Sequence, residues 1–241
     1  MSETFNPLGA FKLDESIDPA IVDAARAFMK TLPSVSAGNR TDSGTYEDPD
    51  ITRIYAHWSV AGMCSEFADY NVMILEKAGH YEIVTTHDVR DNARSTLSAN
   101  YAAHTYHRNT GAIGICLAGM DGATPQNFGP DPVTVTGLTW LCAAIAACAK
   151  KYDIDISGTR LDENPFYGEM NVLTHAEAAH YPGSPAAYEP YFWTDTPSDG
   201  NTRGDLSIFT PLPAGVEMSF AFATECGDAL RETAHRIKLA L

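Results

Sequence analysis

Eight consecutive residues, Gly111-Ala-Ile-Gly-Ile-Cys-Leu-Ala118, carry no charged side chain and no hydroxyl or amide group. A run this short and this apolar, without polar alternation, predicts a β-strand covered on both faces. Residues 119–135 form a Gly/Pro/Asp-rich loop. From Thr136 to about Lys151 the chain reads as a helix, with Leu138, Leu141, Cys142, Ile145 and Cys148 on its buried side. A doubly covered strand followed by a loop and a helix constrains the chain to an α/β fold.

The other elements fit around this pair. Thr52 to Gly62 begins as a strand in which Ile54 and Ala56 point one way and Arg53, Tyr55 and His57 the other. Tyr70–Leu75 and His80–Thr86 are the arms of a hairpin around Lys77-Ala-Gly79, and Met170–Thr174 is a short strand. Asp18-Pro19 is a helix start, with Ile21, Val22, Ala25, Phe28 and Met29 recurring at helical spacing to about Thr31. The last twenty or so residues form an amphipathic helix. Residues 34–50 and 176–204 read as loops, the second carrying Tyr181, Tyr188, Tyr191, Phe192 and Trp193. A structureless stretch of that length in a compact domain is usually functional. The expected architecture is a single α/β domain with a central mixed β-sheet flanked by helices. Its core spans 51–215, between an N-terminal extension, 1–50, with one helix, and a C-terminal helical extension, 216–241.

Composition narrows the partners. The formal net charge of −15 argues against a nucleic acid or an anionic membrane surface, since both reward Lys and Arg. The five cysteines are odd in number and lack CxxC spacing, so a reduced compartment without a disulfide framework is expected. The N-terminus shows no basic and apolar signal pattern, and no apolar run reaches the ~18 residues of a membrane span.

Several metal-binding residue types fall at strand ends or in adjoining loops. His57 lies near the end of its strand, and His175 directly follows the strand ending at Thr174. Asp205 follows the long loop, and His104 and His107 precede the strand beginning near Gly111. Two histidines and a carboxylate suffice for a catalytic zinc site with one position open to water. The spacing matches no short metal motif, and scattered surface histidines would look the same.

Asn109-Thr-Gly-Ala-Ile-Gly-Ile-Cys-Leu-Ala-Gly119, the helix at 136–151 and Val172-Leu-Thr-His-Ala-Glu177 together resemble the type 2 N-acetylmuramoyl-L-alanine amidase family. That family includes phage lysozyme-like amidases and peptidoglycan recognition proteins. His57-Trp-Ser is similar to its first metal-ligand segment, and the resemblance covers roughly residues 51–210. It implies an amidase/peptidoglycan-recognition-like fold and a Zn2+ ion on His57, His175 and Asp205, with Asp195 and Asp199 competing for the third place. Arg203, two positions before Asp205, stands where Lys is usual and would stabilise the oxyanion. Many relatives carry a Glu general base where this chain has Cys116. The phage-type branch uses a tyrosine instead, and Tyr70 matches it, against the alternative of an ordinary strand tyrosine. His104, Asn109 and Trp58 would contact substrate. Glu177 would either accept a hydrogen bond from a ligand imidazole or face solvent. Cys116 as a metal ligand or nucleophile is disfavoured by its apolar strand with no basic neighbour.

The implied reaction is hydrolysis of the amide between N-acetylmuramic acid and L-alanine of the stem peptide. The expected partners are peptidoglycan or muropeptides, with no nucleic acid and no membrane insertion. A phage-type endolysin would be made in the cytoplasm without a signal peptide and released to the wall by a holin. A recycling amidase that stays in the cytoplasm, a recognition module that binds without cutting, and a zinc peptidase or deacetylase are the alternatives.

Overall fold

The computed structural model describes residues 5–12, 16–35, 50–94, 99–105, 108–156, 171–180 and 204–241. Five strands form one sheet: β1 (Arg53–Trp58), β2 (Val72–Lys77), β3 (His80–Thr85), β4 (Ala112–Leu117) and β5 (Val172–Thr174). Their order is β3-β2-β4-β1-β5. Strands β2, β4, β1 and β5 run parallel, and β3 returns antiparallel from β2. The sheet is therefore mixed, and with its flanking helices it forms a single α/β domain. The helices are α1 (Pro19–Thr31), α2 (Val135–Lys151), α3 (His175–His180) and α4 (Phe220–Ala240), with one 3-10 turn at Val89–Asn92.

Strand β4 lies between β2 and β1 and is buried along its whole length, as its continuous apolar run requires. Alternation divides the sheet into two faces. Ile54, Ala56 and Trp58 of β1, with Ile113, Ile115 and Leu117 of β4, join the main core beneath the helices. Tyr55 of β1, and Met73 and Cys116 of β2 and β4, belong to smaller clusters apart from that core. His57 shares the alternation of Tyr55 and is fully buried.

Helix α2 differs from the amphipathic expectation. It is buried almost all round, from Leu138 through Ala149, because α1 and α4 pack against it on the side away from the sheet. Four alanines, Ala143, Ala144, Ala146 and Ala147, give it a slim cross-section for that position. Ile21, Ala25 and Phe28 of α1 and Leu230, Ala234 and Ile237 of α4 share one cluster with the sheet. The two terminal helices thus contribute side chains to the same core. Truncating Phe28 or Ile145 to Ala would cost about 2–5 kcal/mol by the usual cavity penalty.

Local signals account for the ends of the elements. Asp18 caps α1 by accepting from the Ala20 N–H at 2.8 Å. Thr134 and Ser219 cap α2 and α4 through their hydroxyls. The β2–β3 hairpin closes through Ala78 and Gly79, both at positive φ (52° and 84°), as a two-residue turn of the twist-matched kind requires. Residues 63–69 form turns and loop with no helix. No described helix is long and apolar enough to cross a membrane.

Candidate metal centre

Strands β1 and β5 pair in parallel with Ala56 opposite Thr174. The next residue of each chain is a histidine, so His57 and His175 emerge side by side at the carboxyl ends of neighbouring strands. This is where open α/β sheets place their ligands. His175 also opens α3, where the sequence suggested the start of a loop. Asp205 arrives from a turn held at both ends. Its carbonyl accepts from the Ala176 N–H at 3.3 Å, and Ser207 bonds back to the Gly204 carbonyl. Leu206 and Ile208 are fully buried and anchor that turn in the core.

Three side-chain atoms converge. His57 Nδ1 lies 3.1 Å from His175 Nδ1 and 3.3 Å from Asp205 Oδ2, and His175 Nδ1 lies 3.2 Å from the same oxygen. All three residues are buried. Hydrogen bonding alone does not suit a closed triangle of this kind. If both imidazoles donate to Asp205, two N–H groups confront each other at 3.1 Å; if one donates to the other, it turns its proton away from the carboxylate. A cation at the centre satisfies all three lone pairs at once. Ligand bonds of about 2.0–2.1 Å in a tetrahedron give ligand–ligand edges of about 3.3–3.4 Å, close to the observed edges of 3.1–3.3 Å. Among the described residues this is the group that could hold a metal ion.

Burial raises the Asp205 carboxyl. Hydrogen bonds and charge from His175 and His57 outweigh that effect, so the carboxyl lies below its usual range and stays ionised. The ionised Asp205 carboxylate gives the triangle an anionic member to attract a cation.

Tyr70 reaches the site from just before β2. Its ring centroid is 5.2 Å from that of His57. Burial, then the neighbouring Cys116 and Asp205, push its phenol upward, so in the metal-free protein it is a hydroxyl donor and not a base. Cys116 stands opposite His57 in the β1–β4 register, donates its thiol to the Leu117 carbonyl at 3.6 Å and packs against Tyr70. Burial, followed by the Asp205 charge, pushes its thiol well up, which removes the nucleophile reading.

The fold places the other candidate residues around or away from this triangle. Trp58 is 2% exposed and packs edge-on to Phe128 in the helix-side core. It neighbours His57 on the strand and so points to the opposite face, away from the His57 side chain. His104 is buried against His57, with ring centroids 5.5 Å apart, and does not line an open cleft. Burial, with the facing His57 and His175, holds its imidazole well below the usual range, against an opposing pull from the Ala112 backbone. Asn109 uses its Oδ1 to accept from the Thr105 N–H at 2.8 Å. Glu177 neither meets a ligand imidazole nor faces solvent: it is fully buried in a two-pronged pair with Arg231 of α4, both contacts at 2.8 Å. It also accepts from the Thr174 N–H at 2.8 Å, so it fixes the junction of β5 and α3 that delivers His175. Gly227 of α4 is the residue that leaves space for it, because a Cβ there would lie 2.2 Å from Glu177 Oε1. Arg203, His107, Asp195, Asp199 and the aromatic residues 181–193 lie outside the described residues.

Three contributors were missed in the sequence. Thr105 places its hydroxyl 3.4 Å from His57 Nε2. Asn71 and Asn92 are buried and bonded to each other at 3.0 Å. Asn71 also accepts from the Gly114 N–H, and Asn92 holds Ala102 and Asn109, so together they fix Tyr70 and the 99–105 segment. A buried asparagine inside an apolar strand pattern, as in Tyr70-Asn-Val-Met-Ile-Leu75, is the signal that points to such a role.

Compared with known proteins, the chain matches no family model, no curated protein and no solved structure.

Proposed function

We propose that the chain is a zinc-dependent N-acetylmuramoyl-L-alanine amidase of the phage type, cleaving the amide that joins N-acetylmuramic acid to the stem peptide. The observation that carries this reading is the closed His57–His175–Asp205 triangle. His175 lies in the amidase-like segment 172–177, and His57 in the His57-Trp-Ser segment similar to the family's first metal-ligand segment. Two imidazoles and one carboxylate are a ligand set that suits zinc and leaves a fourth position open. When bound there, zinc acidifies water to a pKa of about 7 and polarises a carbonyl.

The chain's own residues then have distinct tasks. His57, His175 and Asp205 would hold the ion. Tyr70, protonated and beside His57, donates a hydrogen bond to the oxygen or the leaving amine at the scissile bond. Phe67, Met73 and Ala118 make the surroundings of Tyr70 and Cys116 apolar, which strengthens that bond. Arg203 keeps the oxyanion-stabilising role implied by the resemblance, as a fixed cation that delivers no proton. Tyr70 near the site, with Cys116 at the position of the usual Glu, favours the lytic phage branch.

Digestion of purified sacculi followed by mass spectrometry tests the reading. Stem peptides beginning with L-alanine should appear while glycan chains stay intact, and His175→Ala should lose both zinc and cleavage. Muropeptide binding without cleavage by zinc-loaded protein would instead identify a recognition module. Cleavage confined to soluble muropeptides would identify a recycling enzyme.

A further inference from the structure

We infer that Thr105 and His104 form a hydrogen-bonded chain that fixes which nitrogen of His57 faces the metal, and so act as positioning residues for the centre. The inference rests on the metal reading above and deepens it. With Nδ1 of His57 turned into the ligand triangle, its remaining proton sits on Nε2. That N–H points to Thr105 Oγ1 at 3.4 Å. The hydroxyl, having accepted there, has one proton to give, and His104 Nδ1 lies 3.0 Å away to take it. The order is therefore His57 Nε2–H to Thr105 Oγ1, then Thr105 O–H to His104 Nδ1. Metal-bound imidazoles generally need such an acceptor on their far nitrogen to fix ring orientation and tautomer.

Both members of the chain are themselves held. Asn109 Oδ1 takes the Thr105 N–H at 2.8 Å, and Asn92 ties down Ala102 two residues before His104. The His104 ring lies flat against β4 where Gly114 has no side chain; a Cβ at that position would fall 2.3 Å from His104 Cγ. A glycine in the middle of a fully buried strand is otherwise unfavourable, and the histidine seated on it explains its presence. The Thr105 contact and the seat on Gly114 together hold this ring.

Zinc affinity, measured by chelator competition on the whole protein, tests the chain. Thr105→Val keeps the shape and removes the hydroxyl; it is expected to weaken zinc by about 10–100-fold, while Thr105→Ser restores most of the affinity. His104→Phe keeps a ring over Gly114 and removes the acceptor, and should weaken zinc in the same direction. If one chain connects them, the double variant is no weaker than Thr105→Val alone. In zinc-loaded wild type, nitrogen NMR of His57 should show the proton on Nε2. Zinc binding by Thr105→Val equal to wild type, or additive losses in the double variant, overturns the inference while leaving the metal site intact. Failure of the wild type to bind zinc overturns the metal reading and the inference with it.

Discussion

The Nδ1 atoms of His57 and His175 face each other at 3.1 Å across the carboxyl ends of two parallel strands. Strand register alone brings them there, since Ala56 and Thr174 are paired and each histidine is the next residue. With the Asp205 carboxylate completing the triangle, no assignment of imidazole protons satisfies all three contacts, whereas a cation does. The two histidines lie 118 residues apart in the chain, so the contact is made by the fold and not by local sequence.

Tyr70→Phe separates the metal's contribution from the chain's. The phenyl ring keeps its packing beside His57, so fold and zinc content should stay unchanged. Cleavage should fall by about 10²–10³-fold, the usual loss when one preorganised donor is removed. Turnover on muropeptide measured alongside zinc content checks this; unchanged turnover would remove Tyr70 from the mechanism.

Gly114→Ala should disturb the site from beneath. Its Cβ would overlap the His104 ring, and overpacking of this kind costs about 1–3 kcal/mol. Zinc affinity should fall with it, because His104 and Thr105 must shift. Thermal unfolding and chelator competition on the same sample would show whether the two losses go together.

Glu177 and Arg231 should matter to stability more than any surface ion pair. Both are buried, and breaking the pair costs up to about 3–5 kcal/mol, less when Glu177 is removed because Arg231 still meets Asp228 at 2.7 Å. Glu177→Ala should lower the urea midpoint by a corresponding amount. Gly227→Ala should do so nearly as strongly, since its methyl would meet the Glu177 carboxylate. A change of a few tenths of a kcal/mol in both would mean the junction of β5, α3 and α4 is held by other contacts.

The acid limb of stability should carry the signature of Asp205. Its carboxyl is raised by burial but lowered further by His175 and His57, and lies below the ordinary value of about 3.9 when folded. A depressed carboxyl adds stability above its unfolded pKa and loses it as pH falls through the folded one. Metal-free wild type should therefore weaken on acidification below about pH 4, and Asp205→Asn should show a flatter limb. Urea unfolding on both sides of that pH distinguishes the two.

How much of this was legible in the sequence depended on the range of each interaction. The covered strand at 111–118 and the histidines at strand ends follow from local pattern, and so does the divided face of β1. Alternation also contained the answer for Trp58: as the neighbour of His57 it must point the other way. The partner of Glu177 was hidden because Arg231 lies 54 residues on, in a helix whose docking no local pattern fixes. Thr105 gave no signal either, being an ordinary loop threonine until the fold sets its hydroxyl beside His57. Helix α2 looked one-sided by periodicity, while its run of alanines already allowed helices on its far side.

Zinc titration of metal-free protein, comparing wild type with Asp205→Ala by calorimetry, tests the central claim most directly. A His57–His175–Asp205 centre predicts one tight zinc per wild-type chain and a large loss of affinity in the variant with its fold retained. No zinc bound by folded wild type, or equal binding by both proteins, would contradict it.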